Sequence, residues 1–286
     1  MAIDEIITIN NNGSMKGRRV FVTGAGTGIG RGIALEFAKE GAAVALHYYN
    51  EEEGVSSALD MIKRAGGKAT GLKGDFRDLG EVYSVADAAL SFLGGVDVLV
   101  NNAGITVNVP FEKVTPEIYD TLMNVNVRAP YFLTQHLSKS MVKQRRGHII
   151  NFASLHGYHA MREHSVYAST KAAIVAMTRN LAIELAPYGI RMNALVPGWC
   201  LTENHYKAEP GLDFAKAAIE SVPAGRQSSP EEIGKLAVFL ATPLADHFVG
   251  TAIHYDGGIG ALFPSGIRFQ DPLSGKYGRD YVHVEE

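Results

Sequence analysis

The sequence predicts an α/β protein with a single doubly wound domain, in which about seven parallel strands carry helices on both faces. Short, continuous apolar runs rich in β-branched residues recur along the chain, as is typical of strands buried on both faces. Segments with helical periodicity separate these runs, and the alternation repeats about six times. No Pro- or Ser-rich linker and no shift in composition divides the 286 residues.

The elements alternate in order from the first strand onward. The predicted strands are Arg19–Thr23 (RVFVT), Ala42–His47 (AAVALH), Lys68–Leu72, Val96–Asn101 (VDVLVN), Gly147–Ala153 (GHIINFA), Ile190–Val196 (IRMNALV) and Thr251–Tyr255 (TAIHY). The helices predicted between them are Gly28–Glu40, Glu51–Ala65, Leu79–Leu93, Pro116–Lys143, Ser165–Pro187 and Pro230–Thr242. We expect these elements to form one domain over residues 15–260.

Two terminal segments are expected to be extensions of this domain. Residues 1–14 are acidic and polar and precede a second possible start at Met15. Residues 261–286 are rich in Gly, Pro and Tyr and show no helical period. This tail is interpreted either as a loose end or as an arm that packs over a site or a neighbouring subunit.

Charge and composition argue against several classes of function. The net charge is −3, from 27 Lys and Arg against 30 Asp and Glu without a basic block, so no nucleic-acid partner is expected. The longest apolar runs, such as Ala42–Leu46, are far shorter than the roughly 20 residues that cross a bilayer. The N-terminus does not resemble a secretory signal. The single Cys200 cannot form an internal disulfide, and no Cys/His cluster has structural-zinc spacing. We therefore expect a cytoplasmic protein with neither a membrane partner nor a metal.

A glycine-rich loop, Thr23–Gly30 (TGAGTGIG), directly follows the first strand and leads into a helix. Backbone N–H groups and the positive end of the helix dipole make such a helix start an anion site. The glycines let the chain turn sharply and approach a pyrophosphate without a Cβ in the way. The strand–loop–helix context makes this a stronger signal than the glycine spacing alone. The candidate cofactor-binding residues here are Gly24, Thr27, Gly28, Ile29 and Gly30.

A serine, a tyrosine and a lysine form a candidate catalytic group. Ser154 follows a predicted strand at its carboxyl end, where open α/β sheets bind ligands. Tyr167 and Lys171 are four residues apart, so they share one helix face. A free phenol titrates near ~10, and a neighbouring ammonium group lowers that pKa. The spacing alone is common among exposed helix pairs, so the prediction depends on its place after a phosphate loop.

Together these motifs resemble the short-chain dehydrogenase/reductase family over roughly residues 16–260. Thr23–Gly30 resembles the family's T-G-x3-G-x-G motif, and the resemblance implies a Rossmann fold and a nicotinamide cofactor. Ser154, Tyr167 and Lys171 align with its catalytic residues, together with Asn126. The other residues that match its cofactor-binding positions are Asp75, Asn102, Ala103, Gly104, Pro197, Gly198 and Thr202, with Tyr167 and Lys171.

The resemblance implies hydride transfer between C4 of a nicotinamide and a carbinol or carbonyl carbon. Tyr167 would move the hydroxyl proton while Ser154 polarises the oxygen. Lys171 would lower the pKa of Tyr167 and hold the ribose, and Asn126 would hold a water in the proton relay. The cofactor would carry the redox chemistry, and the protein would supply position and electrostatics.

The end of the second strand favours NADP over NAD. NAD-dependent enzymes place an acid there for the ribose 2′-hydroxyl, whereas Tyr48 stands at that position here. His47 resembles the histidine of an H-Y-R pattern in NADP-binding relatives, but Tyr49 replaces the arginine. Thr27 also replaces the basic residue that some NADP enzymes carry in the glycine loop. NAD, or the use of both cofactors, therefore stays open.

Polar residues near the expected pocket predict a small, polar substrate. Besides Ser154, the candidate substrate-binding residues are His156, Trp199 and His205. Donors and acceptors that pair with substrate hydroxyls would reject analogues that lack them, which favours a sugar, polyol or sugar acid. A solvated loop with incidental histidines is the alternative interpretation.

Two other functions are considered. The general pattern is similar to that of 3-oxoacyl-thioester reductases, which act on acyl-carrier-protein substrates. A non-catalytic nucleotide-binding regulatory protein is the alternative of another class, although both Tyr167 and Lys171 are present. By resemblance, the long helices predicted at Pro116–Lys143 and Ser165–Pro187 would pair between subunits in a homotetramer or homodimer.

Overall fold

The computed structural model describes residues 13–262 and Gln270, and it confirms the predicted α/β fold. The expected extensions at residues 1–14 and 261–286 lie almost entirely outside these residues. Parallel strands form a seven-stranded sheet in the order β3-β2-β1-β4-β5-β6-β7. The strands are β1 Arg19–Val22, β2 Ala43–Tyr48, β3 Ala69–Lys73, β4 Val98–Asn101, β5 Gly147–Phe152, β6 Ile190–Pro197 and β7 Ala252–Tyr255.

Helices follow the strands along the chain. They are α1 Gly28–Lys39, α2 Glu52–Arg64, α3 Leu79–Leu93, α4 Pro116–Met123, α5 Ala129–Gln144, α6 Ser165–Leu185, α7 Glu203–Ala208, α8 Phe214–Ser221 and α9 Pro230–Leu240. None of the helices in the described part of the chain has the length and apolar character needed to cross a membrane.

The sheet has a hydrophobic layer on each face. On one face the apolar sides of α1, α2 and α9 pack against the strands, with Ile33 and Phe37 of α1 fully buried. On the other face α3, α5 and α6 do the same, with Leu133 and Leu137 of α5 fully buried. Because both faces are covered, the strands carry continuous apolar runs, as the sequence predicted.

The strand order places a crevice above the centre of the sheet. The chain moves outward from β1 to β3 on one side, then returns to add β4 beside β1 and continues to β7 on the other. Val22 of β1 pairs with Leu46 of β2 and Val100 of β4, so three strands end at a similar level. Ligands bind in open α/β sheets at such a reversal of strand order, outside the carboxyl ends of the strands.

The single helix predicted over Pro116–Lys143 is wrong in one respect. A π-helical turn at Asn124–Arg128 separates α4 from α5. The periodic apolar pattern continues through this turn, so it gave no sign of the interruption. The side chain of Asn126, at the centre of this turn, is described with the site below.

Two short helices that the sequence analysis did not predict follow Trp199. Residues Glu203–Ala208 form α7, and Phe214–Ser221 form α8. The side chain of Asp213 caps α8 by accepting a hydrogen bond from the backbone N–H of Lys216 at 3.0 Å. An Asp at this position is an N-cap signal in the sequence that the prediction did not use.

Candidate active site

A cleft of about 420 Å³ opens above the carboxyl ends of the central strands. Its walls come from three regions: the glycine loop, the segment after β4, and the segment after β6. Sixteen of the predicted residues line it, among them Gly24, Thr27, Gly28, Ile29, Gly30, Asn102, Ala103, Gly104, Ser154, Tyr167, Lys171, Pro197 and Gly198. Thr202, Trp199 and His205 complete the predicted set that the cleft brings together.

The glycine loop needs its glycines for two separate reasons. Gly28, the first residue of α1, has φ +53°, a left-handed conformation that side chains rarely adopt. A Cβ on Gly30 would collide with the backbone carbonyl of Gly24. The cap residue Thr27 makes no side-chain hydrogen bond to the first turn of α1. The N–H groups at this helix end are therefore left to bind another acceptor.

Hydrogen bonds join the glycine loop to the end of β4. The Thr23 hydroxyl accepts from the backbone N–H groups of Asn102, at 3.1 Å, and Ala103, at 3.0 Å. The Asn102 side chain in turn donates to the carbonyls of Thr23 and Gly24 at 3.0 and 2.9 Å. These four bonds hold two walls of the cleft at a fixed separation, and neither wall depends on a ligand for its shape.

His47, predicted as a cofactor contact, lies beneath the loop and is not among the residues that line the cleft. Its Nδ1 accepts from the backbone N–H of Gly24 at 3.2 Å, so its Nε2 carries the proton and donates to the Gly74 carbonyl at 3.0 Å. The ring is buried and stacks on Phe76 with centroids 3.7 Å apart. Burial lowers the pKa of His47 to about 4, which keeps it neutral at pH 7. Its position makes it a brace for the loop.

Tyr48 and Asp75 also stand apart from the residues that line the cleft. The Asp75 carboxylate is held by the guanidinium of Arg77, and that hydrogen bond is the main cause of its lowered pKa. Arg77 donates a further bond to the Tyr49 hydroxyl at 2.7 Å. Arg77 thus brings a cation to the end of β2, where the sequence pattern had shown an arginine to be missing. The spacing from β2 gave no signal for it, because it comes from the turn after β3.

Glu51 lines the cleft but was not predicted as a site residue. Its carboxylate accepts from the backbone N–H groups of Tyr49, at 3.3 Å, and Asn50, at 3.1 Å. Its Cβ lies in the space that a side chain on Gly26 would need. An acid just beyond the second strand is a signal in the sequence for this residue, three positions after Tyr48.

Ser154 and Tyr167 meet at the floor of the cleft. Burial of the phenol raises the pKa of Tyr167, and the neighbouring Ser154 hydroxyl lowers it by a smaller amount. The net pKa is therefore raised, whereas the sequence led us to expect a phenol made more acidic by Lys171. The reason is that Lys171 is buried and Tyr167 is half-buried, so the protein alone disfavours the charged form of each.

Lys171 is buried and has one backbone partner, donating from Nζ to the Phe152 carbonyl at 2.8 Å. Its Nζ lies 5.6 Å from the centre of the Tyr167 ring. Burial lowers the pKa of Lys171 to about 8. The amine is thus placed beside the phenol, as predicted from the helix spacing.

Asn126 lies at the centre of the π-helical turn and ties it to the chain after β4. Its Oδ1 accepts from the backbone N–H of Ile105 and its Nδ2 donates to the Ile105 carbonyl, both at 2.9 Å. The same Nδ2 donates to the Thr170 hydroxyl at 3.1 Å. The side chain is therefore fully engaged with α6 and the cleft wall, next to Lys171, and the extra residue of the turn aims it there.

The segment after β6 closes the cleft from the other side. The Nδ1 of His205 accepts from the Thr202 backbone N–H at 3.2 Å and from the Thr202 hydroxyl at 3.0 Å. The Nε2 of a neutral His205 therefore carries the proton. Trp199 and Asn204 line the same wall. This wall presents an indole, an amide and an imidazole to whatever lies above Tyr167.

His156 is placed beside the catalytic group but not among the residues that line the cleft. Its ring stacks on His164 with centroids 4.7 Å apart and meets the edge of Tyr167 at 5.6 Å. Burial, and then the neighbouring His164, lower its pKa. Its backbone N–H donates to the Ser154 hydroxyl at 3.3 Å, so the residue orients Ser154 through the main chain.

The fold and this cleft define a dinucleotide-dependent oxidoreductase. The anion-binding helix start, the serine–tyrosine pair and the buried lysine lie at one end of a doubly wound sheet. Across residues 13–262 and Gln270, no three Cys, His, Asp or Glu side chains are grouped so as to hold a metal ion.

Comparison with known proteins identifies the family. A model described as enoyl-(acyl carrier protein) reductase matches residues 24–260. A hydroxynaphthalene reductase-like protein, Arp2, of Metarhizium robertsii is 35% identical over 257 residues, which cover 86% of this chain and 96% of that protein. The chain belongs to the short-chain dehydrogenase/reductase family and is a dehydrogenase/reductase that uses NAD(P).

Solved structures agree with this assignment. A putative short-chain alcohol dehydrogenase from Sinorhizobium meliloti superimposes with a TM-score of 0.82 and 34% identity, covering 87% of this chain and 99% of that one. A blue fluorescent protein from a metagenomic library, solved in complex with NADPH, gives a TM-score of 0.79 and 30% identity, with coverage of 86% and 99%.

The residues of the cleft fit a dinucleotide. Gly28 already donates its backbone N–H to a carboxylate oxygen at 3.1 Å, which shows that this helix start accepts an anionic group. The backbone of Gly24–Gly30 could hold the diphosphate, and Lys171 could reach a ribose hydroxyl. Pro197 and Gly198 border the opposite end of the cleft, where the nicotinamide would lie.

Proposed function

We propose that this protein transfers a hydride between NADP and the carbinol or carbonyl carbon of a sugar, polyol or sugar acid. The observation that carries the proposal is the placement of Ser154, Tyr167 and Lys171 together in one cleft that ends at the glycine loop. The bound dinucleotide would supply the hydride acceptor or donor.

The chain's own residues would handle the proton and the oxygen. Ser154 would donate a hydrogen bond to the substrate oxygen, and Tyr167 would pass or take the hydroxyl proton at its phenol oxygen. Lys171, at 5.6 Å from the phenol ring, would favour the phenolate whenever it carries its proton. Asn126 would hold the chain after β4 next to the turn of α6 that carries Lys171, through its three hydrogen bonds to Ile105 and Thr170.

Three polar or aromatic side chains support a hydroxylated substrate. Trp199, Asn204 and His205 stand together on the wall opposite the glycine loop. An indole ring offers an apolar face to a sugar ring, while the amide and the imidazole N–H offer a donor–acceptor set. A bound substrate that covers such groups must pair with them, so analogues that leave them unpaired are rejected.

NADP is favoured over NAD by the charges near the end of β2. No acid stands at Tyr48, and Arg77 presents a guanidinium beside Tyr49 that could attract a 2′-phosphate. The NADPH complex of the metagenomic relative supports the same choice. Glu51 favours NAD instead, since its carboxylate lines the cleft.

A 3-oxoacyl thioester is the second candidate substrate. It is supported by the matching family model, whose description names an acyl-carrier-protein substrate. The name of the relative from Metarhizium robertsii adds hydroxynaphthalenes to the compounds worth testing.

The test is a panel of these three substrate classes, each offered with NADPH, NADH and their oxidised forms, followed at the reduced-nicotinamide absorbance band. We expect turnover with sugars or polyols and a higher kcat/KM for NADP. A higher kcat/KM for thioesters would overturn the substrate proposal, and a preference for NAD above ~100-fold, about 2.7 kcal/mol, would overturn the cofactor proposal.

Tyr167→Phe separates an enzyme from a nucleotide-binding regulator. We expect kcat to fall by about 10²- to 10⁴-fold, because the proton-transferring hydroxyl is lost, while cofactor binding stays within about twofold. Tyr158→Phe is the matched control, since Tyr158 is exposed and packs on His254 rather than in the cleft. Equal activity of the two variants would refute the assigned role of Tyr167.

A further inference from the structure

A carboxylate of the chain itself occupies the anion-binding start of α1. Glu203 Oε2 accepts a hydrogen bond from the backbone N–H of Gly28 at 3.1 Å. The two residues are 175 positions apart, so the fold, not local sequence, brings them together. Glu203 is the first residue of α7, on the wall opposite the glycine loop.

This backbone N–H is one of the groups best suited to a dinucleotide diphosphate. It belongs to the first turn of a 12-residue helix, whose dipole places partial positive charge at that end. Thr27 leaves the turn without a side-chain cap. Glu203 therefore accepts the hydrogen bond that a capping side chain or a bound phosphate would otherwise accept. Its carboxylate is negatively charged, as a phosphate is.

The contact also fixes the position of the cleft wall that faces the substrate. Thr202, the residue before Glu203, has its methyl group 3.3 Å from where a Cβ on Gly28 would lie. Asn204 and His205, the residues after it, line the cleft. A movement of the Glu203 carboxylate away from Gly28 would thus also displace the side chains proposed to contact the substrate.

We propose that Glu203 is an internal competitor of the cofactor: its carboxylate holds the Gly28 amide until a dinucleotide diphosphate displaces it. Displacement frees the start of α7 from the glycine loop and shifts Asn204 and His205, which line the cleft next to it. Cofactor arrival is therefore coupled to the shape of the substrate-binding wall. The inference depends on the family's dinucleotide site and not on the identity of the substrate.

The size of the effect follows from the fraction of molecules in which the contact is formed. A ligand that binds only the open state has its apparent affinity reduced by that state's population. If about four molecules in five hold the contact, the dissociation constant of the cofactor is raised about fivefold. Because Glu203 is largely exposed, we expect a modest effect, in the range of about three- to tenfold.

The experiment measures binding without turnover. Trp199 is the single tryptophan of the chain and lines the cleft, so quenching of its fluorescence reports ligand binding directly. NADPH, ADP and adenosine are titrated into the full-length wild-type protein and into Glu203→Gln and Glu203→Ala. Glu209→Gln is the matched control, an exposed acid just beyond α7.

Removal of the carboxylate at Glu203 should tighten NADPH and ADP binding by about three- to tenfold in both variants and leave adenosine, which has no phosphate, within about twofold. The proposal is overturned if either phosphate ligand binds no more tightly, or if adenosine gains as much as ADP. An equal gain in Glu209→Gln would also overturn it, because a general loss of negative charge would then explain the effect. Absence of activity on any substrate, which would count against the proposed function, does not enter these titrations.

Discussion

Burial of Lys171 should make the unliganded protein less stable than a variant that lacks the charge. Lys171 is buried and hydrogen-bonds to one carbonyl, that of Phe152. Its pKa falls from 10.5 to about 8 because burial disfavours the ammonium form. Each tenfold change in proton affinity corresponds to about 1.4 kcal/mol, so carrying this charge costs the folded state about 3 kcal/mol at pH 7.

Lys171→Met removes that cost and keeps most of the side-chain volume. It also removes the bond to Phe152, which is worth about 1 kcal/mol, so the expected net gain at pH 7 is about 2 kcal/mol. For a domain of this size such a gain raises Tm by about 4–8 °C. The same variant should lose turnover, because Lys171 is assigned to the phenol and the ribose.

The pH dependence of the stability difference between wild type and Lys171→Met shows whether the buried ammonium is its cause. Below pH 8 the lysine is charged in both the folded and the unfolded states, and the full cost is present. Between pH 8 and 10.5 the folded state releases its proton while the unfolded state keeps it, so wild-type stability rises with pH relative to the variant. In thermal unfolding, Lys171→Met should have a higher Tm than wild type at pH 7 and about the same Tm at pH 10. The exposed control Lys139→Met should have the wild-type Tm at both pH values. A variant that is less stable than wild type at pH 7, or a difference independent of pH, would refute the reasoning.

Two further substitutions test the supports of the site. Ser154→Ala should lower kcat/KM by about 10²-fold, because one donor to the reacting oxygen is lost. The dissociation constant of the cofactor should stay unchanged. If steady-state kinetics show a loss below about threefold, Ser154 has no role in the mechanism. His47→Leu should lower the free energy of unfolding in urea by about 1–3 kcal/mol and weaken NADPH binding, because the Gly24 N–H and the Gly74 carbonyl lose their partner. Unchanged NADPH binding in a folded His47→Leu protein would show that the loop does not need this brace.

The fold could be predicted from the sequence because local and global signals agree. Each buried strand is a continuous apolar run, and the seven predicted strands differ from the observed ones by one or two residues at their ends. The π-helical turn at Asn124–Arg128 could not be predicted in this way. Asn126 at its centre makes three hydrogen bonds to Ile105 and Thr170, which lie 21 and 44 residues away, and periodicity carries no information about such partners.

The site was predictable where a residue's role depends on its neighbours in the chain. The glycine loop and the Tyr167–Lys171 pair are of this kind, since helix geometry alone sets their relative positions. Arg77 and Glu203 are of the other kind: each reaches its partner, Tyr49 or Gly28, across the fold. The direction of the Tyr167 pKa was also missed, because spacing shows a nearby charge but not the burial that outweighs it.

These features together explain how one cleft can be stable without its ligand and yet be ready for it. The helix start of α1 and the amine of Lys171 are both positive, and the chain gives each a weak internal partner: the Glu203 carboxylate and the Phe152 carbonyl. A dinucleotide offers better partners to both, a diphosphate to the first and ribose hydroxyls to the second. Its binding energy therefore depends on contacts that the unliganded protein satisfies only in part.

Since Glu203 is next to Asn204 and His205, the exchange of partners at Gly28 also changes the wall that faces the substrate. The interactions that give both groups only weak internal partners thus also make the substrate pocket depend on the bound cofactor.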